Sequence, residues 1–293
     1  MNAYIELTIP AQLIENMSND EYHSRPEFSS SQLKDMLRSG AHFYSNNILK
    51  ETEKETKEAM NFGTLAHTMF LEPEQFKAEF VIAPKFDKRT KVGKEEALAW
   101  EEANQGKILV TQEQVDGAER IANNLRTLST YQFMMHEFGM AEASIFFTDP
   151  IFGLKLRVRP DYHIAPCKNF PNGLILDVKT TTDARPHAFS KKCSDFGYDL
   201  SASMYREGFQ QYYQTEDKPP FILLTAESSI PFNVKQYNAS DLLLSVGDAR
   251  YYKSKEMLAE SLLINEWDGY SKEMEDLFLP SYMTKQAFEN DFN

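Results

Sequence analysis

The spacing of apolar residues separates helical segments at both ends of the chain from strands in its middle. Apolar positions recurring every three to four residues predict helices, and strict alternation predicts half-buried strands. The predicted helices cover residues 29–37, 60–71, 111–128, 198–213 and 240–263. The predicted strands cover residues 144–147, 154–159, 174–179 and 221–225. This order predicts one α/β domain with a central mixed β-sheet flanked by helices.

Two acidic residues and a lysine stand where two predicted strands expose a polar face. In the strand over 174–179, Asp177 and Lys179 share one face and Val178 points to the other. Asp161 continues the polar face of the preceding strand, although Pro160 can break that register. Carboxylates that converge from neighbouring strands suit Mg²⁺ or Mn²⁺ and hence phosphodiester hydrolysis. The spacing alone leaves a structural Asp–Lys ion pair open as the alternative.

Helical residues near this strand cluster add two further candidates. His67 follows Gly63 by one helical turn, so that space beside the imidazole could admit a metal ion or substrate. A purely structural histidine fits the same pattern. Tyr198 and Tyr205 belong to an aromatic stripe that is typical of a core-facing helix. Next to a phosphate site, such tyrosines could also donate a hydrogen bond or stack on a base.

Composition and charge exclude several classes of protein. The 293 residues carry a net charge of −13, but residues 85–94 sum to +4, while residues 256–276 hold seven acids against one lysine. The basic stretch is predicted to be a loop bounded by Pro84 and Gly93. Two cysteines cannot form a disulfide scaffold or a four-thiolate cluster. No apolar run approaches a membrane span and no secretory signal is visible, so we expect a cytoplasmic protein.

Several motifs occur together in an order that resembles the nuclease domain of RecE-type exonucleases (exonuclease VIII), which belong to the PD-(D/E)xK superfamily. The resemblance extends from about Tyr22 to about Tyr282. The motifs that carry it are SSSQL at 29–33, GTLAH at 63–67, LEP at 71–73, APKFDKRTKVGKEE at 83–96, AEAS at 141–144, RPD at 159–161 and DVKTT at 177–181. It implies a single nuclease domain over residues 1–293, with 1–21 as an N-terminal extension and a catalytic core at about 60–230.

The function implied by the resemblance is a Mg²⁺-dependent exonuclease that degrades one strand of linear double-stranded DNA from 5′ to 3′. The resulting 3′ single strands would supply a single-strand annealing protein of the RecT type in recombination. Relatives of this kind, which phages or prophages often encode, form ring-shaped homo-oligomers on DNA ends. Mn²⁺ is expected to substitute for Mg²⁺.

The resemblance also implies roles for individual residues. His67, Asp161, Asp177 and the carbonyl of Val178 correspond to metal ligands. Lys179 corresponds to the catalytic lysine, and Glu142 to an active-site acid near the metals. Tyr205 corresponds to a tyrosine that contacts the scissile region of the DNA.

The sequence departs from the family pattern four residues before Tyr205, where Ser201 replaces the usual glutamine. We expect a water molecule, Gln210 or Gln211 to substitute, with a modest loss of rate. Basic residues near the site, together with Ser201, are predicted to contact DNA, mostly through its phosphates. They are Lys85, Lys88, Arg89, Lys91, Lys94, Arg157, Arg159, Lys191 and Lys192.

Two alternatives remain at this level. One is an endonuclease of the same superfamily that acts in restriction or repair. The other is a non-catalytic protein that binds or mimics DNA, which the acidic charge favours but the Asp161, Asp177 and Lys179 set does not.

Overall fold

The computed structural model describes residues 10–51 and 58–279 of the protein. The strands in this part are β1 (Gln12–Ile14), β2 (Phe80–Ile82), β3 (Ile108–Val110), β4 (Gly139–Ala141), β5 (Ser144–Thr148), β6 (Lys155–Val158), β7 (Tyr162–Ile164), β8 (Leu174–Thr181), β9 (Phe221–Glu227) and β10 (Val234–Asn238). The α-helices are α1 (Asn19–Ser24), α2 (Ser30–Arg38), α3 (Gly40–Phe43), α4 (Glu58–Leu71), α5 (Phe76–Glu79), α6 (Lys91–Ala103), α7 (Gln112–Leu125), α8 (Ser129–His136), α9 (Pro186–Asp195), α10 (Tyr198–Tyr213) and α11 (Asp241–Ile264). A π-helical segment, Tyr44–Leu49, continues α3, and a 3-10 turn, Pro73–Gln75, precedes α5.

The main sheet confirms the predicted mixed α/β architecture. Among the described residues its strand order is β10-β9-β8-β7-β4. The central strand, β8, runs parallel to β9 and antiparallel to β7. The apolar run at 174–179 therefore has neighbours on both sides, as expected for a strand buried on both faces.

Alternation along β8 assigns its two faces to different helices. Leu176 and Val178 pack in a cluster with Leu65 of α4 and Ile121 of α7. Ile175 packs instead in the cluster that contains residues of α2, α10 and α11. Because side chains alternate along a strand, Asp177 and Lys179 follow Ile175 on the face toward α10.

A second sheet adjoins the first through two continuous chain segments. Its strand order is β1-β5-β6 within the described residues. Only Glu142 and Ala143 separate β4 from β5, and only residues 159–161 separate β6 from β7. Both segments thus cross from one sheet to the other at the same place, and each crossing carries one of the predicted acidic site residues.

The N-terminal segment is held by two buried arginines, Arg157 of β6 and Arg159 of the second crossing. Arg157 donates hydrogen bonds to the carbonyl oxygens of Arg25 and Glu27. Arg159 donates to Ser144 Oγ, Asn19 Oδ1 and the Met17 carbonyl at 2.8–2.9 Å. Both guanidinium groups lie over the ring of Tyr22, at 5.1 and 4.1 Å from its centroid. Residues 10–28 are therefore packed into the domain.

Helix boundaries follow the predicted capping signals. Ser29 caps α2 in a capping box with Gln32, and Thr111 caps α7 in the same way with Gln114. The predicted helices over 198–213 and 240–263 correspond to α10 and α11. Strand β10 has weak alternation and was not predicted.

The predicted loop over residues 85–94 is partly wrong, because α6 begins at Lys91. Thr90 caps this helix by accepting a hydrogen bond from the Gly93 amide at 3.0 Å. A side chain at Gly93 would overlap the carbonyl group of Asp87. The glycine that suggested a loop is instead required for the loop to pack against the first turn of the helix.

Within the described ranges, no helix has both the length and the apolar character needed to cross a membrane.

Candidate active site

The end of β8 carries a closely paired carboxylate and ammonium group. Lys179 Nζ lies 2.6 Å from Asp177 Oδ2 and 3.6 Å from Asp161 Oδ2. Burial by itself lowers the pKa of Lys179, but the charges of Asp161 and Asp177 outweigh it and raise that pKa above its usual value. Burial raises the pKa of Asp177, and the Lys179 charge opposes this effect. Asp177 is thus buried, whereas Lys179 is half-buried and stays partly open to solvent.

Asp161 joins the two crossing segments to β8. Its Oδ2 accepts a hydrogen bond from the backbone amide of Val178 at 2.6 Å. Pro160 lies between β6 and β7 and breaks the strand register, as the sequence allowed. The break directs the Asp161 carboxylate toward the neighbouring strand β8, where it meets Lys179.

Glu142 lies in the other crossing, directly beside Asp161. Its backbone is in the left-handed region, with φ at 49°, and its amide donates to the Asp161 carbonyl at 3.1 Å. A non-glycine residue in this conformation is uncommon and marks either a turn or a functional site. Burial and the nearby charge of Asp161 raise the pKa of Glu142 well above its usual value.

His67 approaches the same place from α4. Its Nε2 lies 2.8 Å from the Val178 carbonyl oxygen, and its Nδ1 lies 3.6 Å from Asp161 Oδ2. The imidazole therefore contacts both the strand backbone and one of the carboxylates. A side chain at Gly63, one turn earlier, would meet Thr180 Oγ1 at 3.1 Å. Gly63 thus allows α4 to approach β8 closely and does not open space for a ligand.

The donor set fits a hard divalent cation. Ligand atoms of His67, Glu142 and Asp161 all lie within 4.8 Å of one another. Carboxylate oxygens with one imidazole suit Mg²⁺ or Mn²⁺. Asp177 does not belong to this triad, because its carboxylate is paired with Lys179. The Val178 carbonyl accepts hydrogen bonds from both His67 and Lys179.

Helix α10 covers the site from the side opposite to α4. Tyr205 is half-buried, and burial raises the pKa of its hydroxyl, to which the charge of Asp177 adds. Ser201 lies buried with its Oγ 3.3 Å from Ser30 Oγ, so that it joins α10 to α2. Gln210 and Gln211 lie near the C-terminal end of α10. The Gln210 amide donates to the Thr215 and Glu216 carbonyl oxygens. The Gln211 amide donates to the Glu207 carboxylate. The expectation that one of these glutamines replaces the missing amide is therefore wrong.

The basic residues predicted to contact DNA fall into two groups. Lys85, Lys88, Arg89, Lys91 and Lys94 are exposed, as is Lys191. Lys192 is half-buried beyond the end of β8 and donates to the Thr181 and Thr182 hydroxyls at 2.8 Å. Arg157 and Arg159 are buried against the N-terminal segment. Their guanidinium groups are used inside the protein, so we leave these two out of the proposed DNA surface.

Lys34 is a site residue that sequence reasoning missed. Its ammonium lies 5.8 Å from the centre of the Tyr198 ring, and Lys179 lies 5.5 Å from the same centre. Burial lowers the pKa of Lys34 to about 8, and the charge of Lys179 adds to this effect. The available signal was its position directly after the SSSQL motif and one helical turn after Ser30.

Comparisons with known proteins identify the family of the chain and a structure with a similar fold. The chain matches the model of a PDDEXK-like domain of unknown function (DUF3799) over residues 29–277. A crystal structure of a "putative exonuclease" from Eubacterium rectale is similar with a TM-score of 0.57 and 16% identity, covering 94% of this chain and 99% of that one. A structure of SSO0001 aligns over 82% of this chain and 81% of that one, with 12% identity and a low TM-score of 0.39. No curated protein matches the chain.

The fold and the family match define a PD-(D/E)xK nuclease domain. Pro160-Asp161 and Asp177-Val178-Lys179 fit the letters of that pattern. The chain belongs to the PDDEXK-like DUF3799 family, whose match covers most of its length. The likeness to the Eubacterium rectale protein supports the fold at the level of the whole chain.

Proposed function

We propose that the protein is a Mg²⁺-dependent exodeoxyribonuclease that degrades one strand of linear duplex DNA from 5′ to 3′. The observation that supports this most directly is the convergence of Asp161, Glu142 and His67 beside the Asp177–Lys179 pair. The resemblance to RecE-type exonucleases supplies the substrate and the direction.

The residues divide into a metal-holding set and a phosphate-facing set. Asp161, Glu142 and His67 would hold a divalent cation, and Asp177 would join them once its carboxylate turned from Lys179. When bound, the cation lowers the pKa of a coordinated water and stabilises charge in the transition state. Lys179 is placed to donate a hydrogen bond to the attacking water or to a phosphate oxygen. Attack by the water oxygen on phosphorus would break the bond to the 3′ oxygen, which leaves with a proton.

The DNA backbone would be held by exposed cations on the protein surface. The basic loop 85–94 and the lysines of α9 are the candidates, because phosphate contacts need no base recognition. Acidic segments elsewhere, including residues 256–276, would repel DNA and so favour its binding at these basic residues. A ring-shaped homo-oligomer and a RecT-type annealing partner belong to the same proposal and follow from the resemblance alone.

The test compares linear duplexes labelled at the 5′ or the 3′ end with covalently closed circles, in Mg²⁺ and in EDTA. Asp177→Asn is the inactive control, since it removes the charge while keeping the shape of a residue buried at the strand end. We expect early, Mg²⁺-dependent loss of the 5′ label, with circles intact and the variant inactive.

Other outcomes separate the alternatives. Cleavage of circles would identify an endonuclease. Early loss of the 3′ label would mean that the enzyme degrades DNA from 3′ to 5′. Tight, metal-independent DNA binding with no cleavage would identify a non-catalytic relative.

A further inference from the structure

An exposed aromatic residue, Phe196, contacts the tyrosine whose ring Lys179 overlies. Phe196 lies just before α10 and is 59% exposed to solvent. Its ring stacks on that of Tyr198, with the centroids 5.9 Å apart and the planes at 19°. Exposing a large aromatic side chain carries a hydrophobic cost, and single exposed aromatics are common. The position of Phe196, stacked on the ring that Lys179 overlies, distinguishes it from the others.

Two ammonium groups lie close to the same tyrosine. Lys179 is 5.5 Å and Lys34 is 5.8 Å from the ring centre of Tyr198. Lys179 is paired with Asp177 and Asp161, whereas no ion pair is found for Lys34 among the residues that the structure describes. The stem of Lys34 is fixed against the backbone of Gly197, where a Cβ would lie 3.1 Å from its Cε. Lys34 is therefore a held cation whose charge is free for an external anion.

We propose that Lys34, Phe196 and Tyr198 form a subsite for one unpaired nucleotide of the DNA strand, next to the scissile phosphate. Lys34 binds the phosphate, and a base stacks on the exposed face of Phe196. This inference rests on the proposed nuclease function and adds a requirement to it: the end of the duplex is opened by at least one base pair when it is bound.

The chemistry of the three residues matches that of a single-stranded nucleotide. Every base has an aromatic face, so stacking on Phe196 tolerates any sequence. A paired base inside a duplex has both faces covered by its neighbours and cannot use the ring. The phosphate bound by Lys34 is either an internal one or a terminal 5′-phosphate, since both present the same oxygens.

Binding is measured by fluorescence anisotropy in Ca²⁺, with Asp177→Asn as the cleavage-inactive background. The duplexes end either in a fully paired terminus or in three mismatched pairs, each with a 5′-phosphate or a 5′-hydroxyl. Phe196→Ala is compared with Phe138→Ala, which alters a residue that is 71% exposed at the end of β4 away from Glu142. Lys34→Ala is compared with Lys155→Ala, at the end of β6 away from Asp161.

We expect Phe196→Ala to weaken binding of the mismatched end on the order of tenfold, as loss of one base stack would. Phe196→Trp should restore it. Lys34→Ala should lower the slope of log K against log salt by about one, as loss of one phosphate contact would. If this effect occurs only with a 5′-phosphate, the terminal group is bound; if it occurs with both ends, the phosphate is internal. Both control variants should bind as the background does.

Two results would overturn the inference in distinguishable ways. If the background protein binds no DNA, the proposed function fails and the subsite fails with it. If the background binds DNA but Phe196→Ala and Lys34→Ala bind both duplexes unchanged, only the subsite is wrong.

Discussion

At the scale of residues, the site depends on how acidic groups are kept close together. Glu142 and Asp161 are adjacent because the amide of one donates to the carbonyl of the other. Burial raises the pKa of Glu142, and the like charge of Asp161 adds to this effect. A bound cation relieves this repulsion. The structure thus favours metal binding before any DNA is present.

Replacing the acidic pair should therefore weaken metal affinity directly. We expect Glu142→Gln and Asp161→Asn each to lower the affinity for Mn²⁺ at least tenfold, measured by isothermal titration calorimetry without DNA. Glu113→Gln, in the exposed first turn of α7, is the matched control. Unchanged affinity in both site variants would place the metal elsewhere.

His163 gives a prediction about pH and stability. It is fully buried, with Nε2 2.9 Å from the Tyr213 hydroxyl, and burial lowers its pKa from 6.5 to about 4. Below pH 6.5 the unfolded chain takes up a proton that the folded protein excludes, so the free energy of unfolding falls until about pH 4.

At pH 5.5 this difference amounts to about 1 kcal/mol relative to pH 7.5. Urea unfolding of wild type and His163→Gln at the two pH values measures it, with the exposed His187→Gln as control. The wild type should lose more stability on acidification than His163→Gln by this amount. Equal losses would contradict the buried, neutral state of His163.

At the scale of elements, close approach of helices and strands positions the site. Helix α10 carries Tyr198, Ser201 and Tyr205, and it is held from behind by α11. A Cβ at Gly247 of α11 would overlap the backbone carbonyl of Asp199 near the start of α10. The glycine thus fixes the distance between the two helices.

Gly247→Ala should accordingly cost about 1–3 kcal/mol of stability, because overpacking at a backbone contact cannot be relieved by a rotamer change. Thermal and urea unfolding would measure it. Gly269→Ala, whose added Cβ would meet only the Ala41 side chain at 3.9 Å, is the control and should be neutral. A neutral Gly247→Ala would mean that the helices separate easily.

Local signals in the sequence account for much of the element order, and non-local contacts account for what was missed. Alternation in 174–179 correctly placed Asp177 and Lys179 on one face and Val178 on the other. Alternation in the strand over 154–159 likewise placed Arg157 on a polar face. In the structure Arg157 is buried, because residues 25–27 fold over it. A one-dimensional pattern cannot show which surface a distant segment will cover.

At the scale of the whole molecule, charge is distributed unevenly around an acidic protein. Three cations of the basic stretch 85–94 have acidic partners, one inside the stretch and two further along α6. Arg89 pairs with Asp87, Lys88 with Glu101 and Lys91 with Glu95, at 2.9–3.8 Å. No ion pair is found for Lys85 or Lys94 in the described part of the chain. In the proposed DNA complex these two lysines would therefore be the more effective phosphate ligands.

We expect Lys85→Ala with Lys94→Ala to lower the salt slope of DNA binding by about two. Neutralising Lys88, Arg89 and Lys91 together should lower it less per charge removed, because their acidic partners remain. Filter binding across a series of salt concentrations would measure both. A slope that is unchanged in both variants would remove the loop from the DNA path.

The hydrogen bonds by which Arg157 and Arg159 hold the N-terminal segment have a practical consequence for where the chain can be shortened. The family match begins at residue 29, yet residues 17–27 provide acceptors for both buried guanidinium groups. A protein trimmed to that boundary would lose these acceptors and would expose the apolar surface of Phe146 that Met17 and Tyr22 cover. It should be insoluble or unfolded, so residues 17–28 belong in any version of the protein that is tested for nuclease activity.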